Sequence, residues 1–213
     1  MAKVKTATRT LSNAGRLRTL VVATSPKAVG QLGAESLVEY DGLLELIADP
    51  DIVSVEVQPQ TFQFVMGGGR TVSYTPDVRF TRRDGRIGYR EFKHDVTNLE
   101  PELAAKLEIA RDSFAEQGYE FEIRDATAIR KGFRIQNLRL LKRYAQWPVS
   151  PAFQRGVLEF VGERTDILLQ DLFEPAGTGG LGGVYRMLWD HLLEADLETA
   201  LLCTATRIWR PRS

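Results

Sequence analysis

The feature that most restricts the fold is a series of short β-forming runs, separated by turn residues, between Ile52 and Phe92. The runs are rich in β-branched and aromatic residues, and glycine, proline or aspartate ends most of them. Asp84-Gly85 joins the last two runs, and this dipeptide is typical of a tight hairpin turn. We therefore predict a sheet of hairpin-connected strands at Ile52–Val57, Phe62–Met66, Thr71–Tyr74, Val78–Thr81 and Ile87–Phe92.

Two helical patterns flank these strands. Apolar residues recur with helical spacing over Ala34–Ala48, which Asp49-Pro50 ends, and over Leu99–Gly118. A further strand is predicted at Tyr119–Ile123. This order of helices and strands predicts an α/β fold in which a mixed sheet is flanked by helices.

After about residue 130 the strand pattern stops. We predict short helices at 135–146, 151–162, 166–173 and 184–194, and a strand pair formed by Ala200–Cys203 and Arg207–Arg210. This is the outline of a small, mostly helical, winged-helix-like domain. The chain is thus predicted to contain a basic N-terminal arm (residues 1–33), an α/β domain (34–130) and a small C-terminal domain (131–213).

Charge is balanced in total, with 28 basic and 28 acidic residues, but it is unevenly distributed. The arm contains no acidic residue, and a second stretch rich in arginine and lysine follows residue 126. Both stretches suit contact with phosphates, although ordinary solvated surface charge explains either of them equally well. The candidate DNA-binding residues are Arg16, Arg18, Lys131, Arg134, Arg139, Lys142 and Arg143.

Targeting and cysteine content set the expected compartment. No apolar run is long enough to span a bilayer, and the N-terminus lacks the pattern of a secretory signal, so we expect a cytoplasmic protein without a membrane partner. The single cysteine, Cys203, permits no internal disulfide and no cysteine metal cluster. We expect it to be a small core residue.

Three residues of the last hairpin have the chemistry that metal-dependent phosphodiester hydrolysis requires. Asp77 precedes one strand and Glu91 lies near the end of the strand that pairs with it, so the hairpin brings two carboxylates together. Lys93 shares a face with Glu91, and Phe92 between them points into the core. The Phe92 carbonyl could supply a further oxygen to a cation. An acid-x-Lys triplet taken alone is also common on solvated strand edges.

Pro76-Asp77 and Glu91-Phe92-Lys93 resemble the two halves of the PD-(D/E)xK nuclease motif, which implies a restriction-endonuclease-like fold. More narrowly, Ser36-Leu37-Val38-Glu39, the strand leading into Gln58-Pro59, and Tyr74-Thr75-Pro76-Asp77 resemble TnsA, the endonuclease subunit of heteromeric cut-and-paste transposases. The region from Asn137 onwards is similar to the small domain that follows the nuclease in this family.

The resemblance implies a metal site and assigns roles to its residues. Lys93 would serve the attacking water or the phosphate, and the metal ligands would be Glu39, Asp77 and Glu91. Mg²⁺ is the implied cofactor, and Mn²⁺ can substitute for it. Glu35, one helical turn before Glu39, could take its place. Three further residues are candidate neighbours of the site: Gln58, which could equally cap a strand end, Phe92 and His94.

The same resemblance implies partners. The chain would cut double-stranded DNA at the 5′ side of transposon ends, together with a TnsB-like DDE transposase that cuts the 3′ side. A TnsC-like ATPase would dock on the small domain. Two alternatives stay open at this point: a stand-alone restriction, repair or phage nuclease, and a DNA-binding assembly module whose nuclease fold is inactive.

Overall fold

The computed structural model describes residues 20–21, 25–173 and 180–211. The chain divides into two compact units, of which the first ends at Ile129 and the second begins at Arg130. Within the described ranges, no helix combines the length and the apolar content that crossing a membrane would require.

The first unit has the predicted mixed α/β architecture. Its strands are β1 (Leu20–Val21), β2 (Gly33–Ala34), β3 (Ile52–Val57), β4 (Phe62–Val65), β5 (Thr71–Tyr74), β6 (Val78–Arg82), β7 (Ile87–Lys93) and β8 (Glu120–Asp125). Its helices are α1 (Leu37–Ala48), α2 (Pro101–Glu116) and α3 (Ala126–Ile129), with a short 3₁₀ turn at Gly67–Gly69. The main sheet has the order β3-β6-β7-β8; the β7–β8 pair is parallel and the others are antiparallel.

The hairpin between β6 and β7 sets the register of the sheet. Its turn contains Gly85 at a φ of +87°, a conformation that glycine adopts without strain, and the Asp84 carboxylate accepts hydrogen bonds from the backbone and side chain of Arg86. In this hairpin Val78 pairs with Arg90. Continued by one residue, the register places Asp77 opposite Glu91.

Helices cover both faces of the sheet at β7. On one face Tyr89 stacks on Phe114 of α2, with their ring centroids 4.6 Å apart. On the other face the Phe92 ring is buried, as predicted, and it lies so close to α1 that a Cβ added at Gly42 would overlap it. Gly42 therefore allows α1 to approach the end of β7 closely.

Helix α1 begins three residues later than the predicted start at Ala34. Gly33–Ala34 pairs instead with β1. Ser36 is the N-cap: its Oγ accepts a hydrogen bond from the Glu39 backbone at 3.2 Å, and Glu39 Oε2 accepts one from the Glu35 backbone at 2.7 Å. This variant of the capping box, in which Glu39 binds the residue before the N-cap, satisfies backbone donors at the helix start and explains the boundary.

The second unit consists of helices around a small antiparallel sheet. Its helices are α4 (Arg134–Lys142), α5 (Pro151–Val161) and α6 (Gly180–Trp189), and its sheet has the order β10-β11-β9, formed by β9 (Ile167–Leu168), β10 (Glu194–Ala195) and β11 (Arg207–Trp209). Residues from all these helices and from the sheet share one core, including Leu141, Val157, Val184, Met187 and Ile208.

Three predictions for this unit were wrong. Ala200–Cys203 does not pair with β11, because the buried Asn137 binds this part of the backbone: its amide donates to the carbonyls of Leu197 and Ala200 at 2.8 Å and accepts from Leu202 at 2.9 Å. The region predicted as a helix at 166–173 forms β9 and a 3₁₀ turn. Cys203 is exposed rather than buried. The winged-helix-like outline stays a prediction.

Candidate active site

Asp77 and Glu91 meet at the end of the β6–β7 pair. The backbone N–H of Phe92 donates to Asp77 Oδ2 at 2.7 Å, which holds this carboxylate against the neighbouring strand. The Asp77 carbonyl accepts a hydrogen bond from the Gln58 backbone at 2.7 Å. The second bond continues the pairing of β3 with β6, and the first holds the Asp77 side chain against β7, so the sheet places the first carboxylate beside the second.

Glu91 is buried, with 6% of its surface exposed, and a different donor binds each of its two oxygens. Lys93 Nζ lies 2.5 Å from Oε1, and Tyr74 Oη donates to Oε2 at 2.8 Å. Lys93 reaches Glu91 because residues two apart in a strand share a face. The structure thus brings Asp77, Glu91 and Lys93 together in one corner of the sheet.

Tyr74 is a site residue to which sequence reasoning assigned no role. It is the last residue of β5, a strand that forms a separate two-stranded sheet with β4, outside the main sheet. The Tyr-Thr-Pro-Asp segment was a signal, but the contact with Glu91 depends on how the β4–β5 hairpin folds over β7. Burial and the charge of Glu91 raise the pKa of Tyr74, so it remains a hydrogen-bond donor.

The electrostatics of the acid pair are unfavourable without added positive charge. Burial raises the pKa of Asp77 to about 7, and the negative charge of Glu91 adds to this shift; the Phe92 N–H and Lys93 oppose it. Two desolvated carboxylates therefore compete for little compensating charge. A divalent cation is the group that would relieve this repulsion while leaving both acids ionised.

The predicted role of Glu39 as a metal ligand stays a prediction. Its carboxylate is held in the capping box by the Glu35 backbone and the Ser36 hydroxyl. It is near enough that its charge also raises the pKa of Asp77. In the described part of the chain, no three His, Cys, Asp or Glu residues are grouped closely enough to hold a metal ion. Glu35, the alternative to Glu39, is exposed.

The donors present nevertheless fit a hard divalent cation. Asp77 and Glu91 offer carboxylate oxygens, and Phe92, which lies between Glu91 and Lys93 in the sequence, offers its main-chain carbonyl oxygen. Oxygen donors of this kind suit Mg²⁺ or Mn²⁺, whereas zinc sites use histidine or cysteine. For the described residues, the fit therefore rests on two adjacent acids, Asp77 and Glu91.

The two other predicted neighbours lie at the ends of the strands. Gln58 follows β3 and has a φ of +46°, which is strained for a residue with a side chain. Its backbone holds Asp77, so this strain occurs where the first carboxylate is positioned. His94 follows Lys93 directly and is exposed.

The predicted DNA-binding residues have varied surroundings. Arg16 and Arg18 lie outside the described residues. Arg134 forms an ion pair with Glu198 at 3.2 Å, and the Lys142 ammonium lies 5.1 Å from the centre of the Trp189 ring. Burial lowers the pKa of Lys142. The exposed members of the set are Lys131, Arg139 and Arg143.

Comparison with known proteins gives one family. The model of the TnsA-like endonuclease N-terminal domain matches residues 49–126. This range contains Asp77, Glu91 and Lys93, whereas Glu39 precedes it and the whole second unit follows it. No curated protein matches the chain.

Proposed function

Residues 49–126 belong to the TnsA-like endonuclease family, and from this premise we propose that the chain is a metal-dependent DNA endonuclease of a Tn7-type transposase. One observation carries the proposal. Asp77, Glu91 and Lys93 lie together at the end of β7, with Asp77 fixed by the Phe92 N–H and Glu91 fixed by Lys93 and Tyr74. Adjacent acids and a lysine are the side chains that phosphodiester hydrolysis needs.

The cation would be Mg²⁺, with Mn²⁺ as a substitute, held by Asp77, Glu91, the Phe92 carbonyl and, once free of the helix cap, Glu39. When bound, it supplies Lewis acidity at the phosphate and lowers the pKa of a bound water. The sheet fixes Asp77 through the Phe92 N–H, and Tyr74 keeps one oxygen of Glu91 oriented. These contacts come from the protein's own backbone and side chains, so they preorganise the two acids.

Lys93 contributes positive charge at the same place. Its ammonium contacts Glu91 Oε1, the oxygen that Tyr74 does not bind. A phosphate bound next to both acids would therefore lie beside this ammonium. There it can hold the phosphate or the attacking water by a hydrogen bond. Positive charge at this point stabilises the charge that develops on the phosphate oxygens during cleavage.

Family membership also suggests the reaction's setting. In this proposal the chain cleaves double-stranded DNA at the 5′ side of transposon ends, and a TnsB-like DDE transposase cleaves the 3′ side. A TnsC-like ATPase binds the second unit. Cleavage by the isolated chain is then weak or absent, because the DNA ends are delivered by the partners.

The test is strand-specific cleavage of a plasmid carrying transposon ends, with the purified chain, a TnsB-like transposase and a TnsC-like ATPase. We expect 5′-strand cuts that require Mg²⁺ or Mn²⁺ and that Asp77→Asn, Glu91→Gln and Lys93→Ala each abolish. Glu108→Gln, an exposed charge change on α2, is the matched control and should leave cleavage unchanged.

Two results would contradict the proposal. Efficient cleavage by the chain alone would indicate the stand-alone nuclease. Unchanged transposition with Asp77→Asn would indicate an inactive assembly module.

A further inference from the structure

The second unit contains a cavity of about 690 Å³ that the proposed nuclease chemistry does not use. Its walls are the turn after α5 and the C-terminal end of β11 with the residues that follow. Three arginines and one tryptophan line it: Arg164, Arg207, Arg210 and Trp209.

Among the residues that the structure describes, these arginines form no ion pair. Within residues 130–173 and 180–211, no carboxylate lies at ion-pair distance from Arg164, Arg207 or Arg210, whereas sheet arginines of the first unit such as Arg82 and Arg90 are paired. Glu163 and Glu194 also line the cavity, and Glu194 Oε2 accepts a hydrogen bond from Trp209 Nε1 at 2.8 Å, so three arginines against two glutamates leave the lining with one net positive charge. The cavity is therefore suited to an anion.

The fold orients this lining in advance. Ile208 is fully buried in the core, so its neighbours Arg207 and Trp209 lie on the opposite face of β11. Trp209 pairs with Glu194 across the sheet, and their hydrogen bond fixes the indole ring. Arg164 lies 4.7 Å from the centre of the Phe160 ring and donates to the Val161 carbonyl at 3.3 Å. A ligand would meet an indole ring and one guanidinium group, that of Arg164, which are already oriented.

We propose that this cavity binds a short segment of single-stranded DNA. The guanidinium groups contact its phosphates and a base stacks on Trp209, a combination typical of single-strand recognition. The volume suits about one or two nucleotides. The bases of an intact duplex are stacked on each other and cannot reach the indole, and an acidic peptide offers it no flat ring. The proposal rests on DNA being the substrate, but the binding needs no cleavage.

The experiment measures fluorescence anisotropy of a fluorescein-labelled oligothymidylate of about 12 nucleotides with the full chain in EDTA. We expect Arg207→Ala to weaken binding about tenfold and to reduce the slope of log affinity against log salt by about 0.7, the value for one phosphate contact on a single strand. Arg155→Ala is the matched control: it removes an exposed arginine of α5 outside the cavity and should leave both quantities unchanged. The basic arm contributes equally to every variant.

Tryptophan fluorescence tests the stacking step. The oligonucleotide should quench the wild type and Trp147→Phe, and Trp209→Phe should lose most of this quenching. Circular dichroism establishes that each variant is folded. Equal weakening by Arg207→Ala and Arg155→Ala would overturn the proposal, since it would indicate only general charge attraction. So would tighter binding of a glutamate-rich decapeptide than of the oligonucleotide.

Asp77→Asn separates this site from the nuclease. It should abolish cleavage and leave oligonucleotide binding unchanged. If cleavage survives Asp77→Asn while Arg207→Ala still loses the oligonucleotide, the nuclease assignment fails and the cavity assignment stands; the reverse pattern refutes the cavity alone.

Discussion

Replacing Asp77 by asparagine is expected to make the metal-free protein relatively more stable as the pH rises. Burial and the charge of Glu91 raise the pKa of Asp77 from 3.8 to about 7, so between these values the folded state binds more protons than the unfolded state. The free energy of unfolding of the wild type therefore falls as the pH rises through this window. Asparagine has no proton to lose, and its amide oxygen can still accept the Phe92 N–H.

The magnitude follows from the size of the shift. A rise from 3.8 to about 7 corresponds to about 4 kcal/mol, of which about 3 kcal/mol falls above about pH 5. Between about pH 5 and pH 8 the stability of Asp77→Asn relative to the wild type should therefore increase by about 2–3 kcal/mol. This difference between two pH values cancels any constant cost of burying the amide.

The assay is urea unfolding in EDTA at the two pH values. All three tryptophans lie in the second unit, so far-UV circular dichroism is needed to follow the first unit. Asp84→Asn is the control. Asp84 is exposed, and hydrogen bonds from Arg86 lower its pKa, so it is ionised at both pH values and its substitution should have the same effect at each. A relative stability of Asp77→Asn that stays constant or falls with pH would refute the reasoning.

Further outcomes are expected at the acid pair and in the two cores. Excess Mn²⁺ should stabilise the wild type at about pH 8, by about 2.7 kcal/mol at one hundred times its dissociation constant. Thermal unfolding should show no such stabilisation for Glu91→Gln. Equal stabilisation of the two proteins would exclude Glu91 as a ligand. Tyr74→Phe should weaken Mn²⁺ binding measured by calorimetry, because Glu91 loses a donor at 2.8 Å. Tyr89→Phe removes hydroxyl contacts with Gln60 and Arg79 instead and should leave Mn²⁺ binding unchanged. Equal effects of the two substitutions would reduce Tyr74 to a packing role. Gly42→Ala should destabilise the first unit by about 1–3 kcal/mol, since the added methyl group overlaps Phe92. It should also reduce cleavage. If the variant is as stable as the wild type, α1 can shift freely. Asn137→Ala should destabilise the second unit by about 2–4 kcal/mol, because it removes three hydrogen bonds to residues 197–202. Unfolding of this unit can be measured by tryptophan fluorescence. A decrease in unfolding free energy of less than about 0.5 kcal/mol would contradict that role.

Much of the first unit could be predicted because its signals are local. The β6–β7 hairpin follows from Asp84-Gly85 and from two adjacent strand-forming runs, and helix α2 follows from its apolar spacing. The second unit was less predictable. Its strands are two or three residues long and join segments far apart in sequence, and one buried side chain, Asn137, determines the path of residues 197–202.

The sequence by itself determined that Asp77, Glu91 and Lys93 share one corner, because a tight hairpin and the two-residue period of a strand depend only on neighbours along the chain. Only the tertiary structure decided what surrounds that corner. Tyr74 reaches Glu91 from a strand outside the main sheet, and Glu39 is retained in its helix cap. The raised pKa of Asp77 likewise depends on burial, which requires the packed chain, since desolvation is the combined effect of many residues distant in sequence.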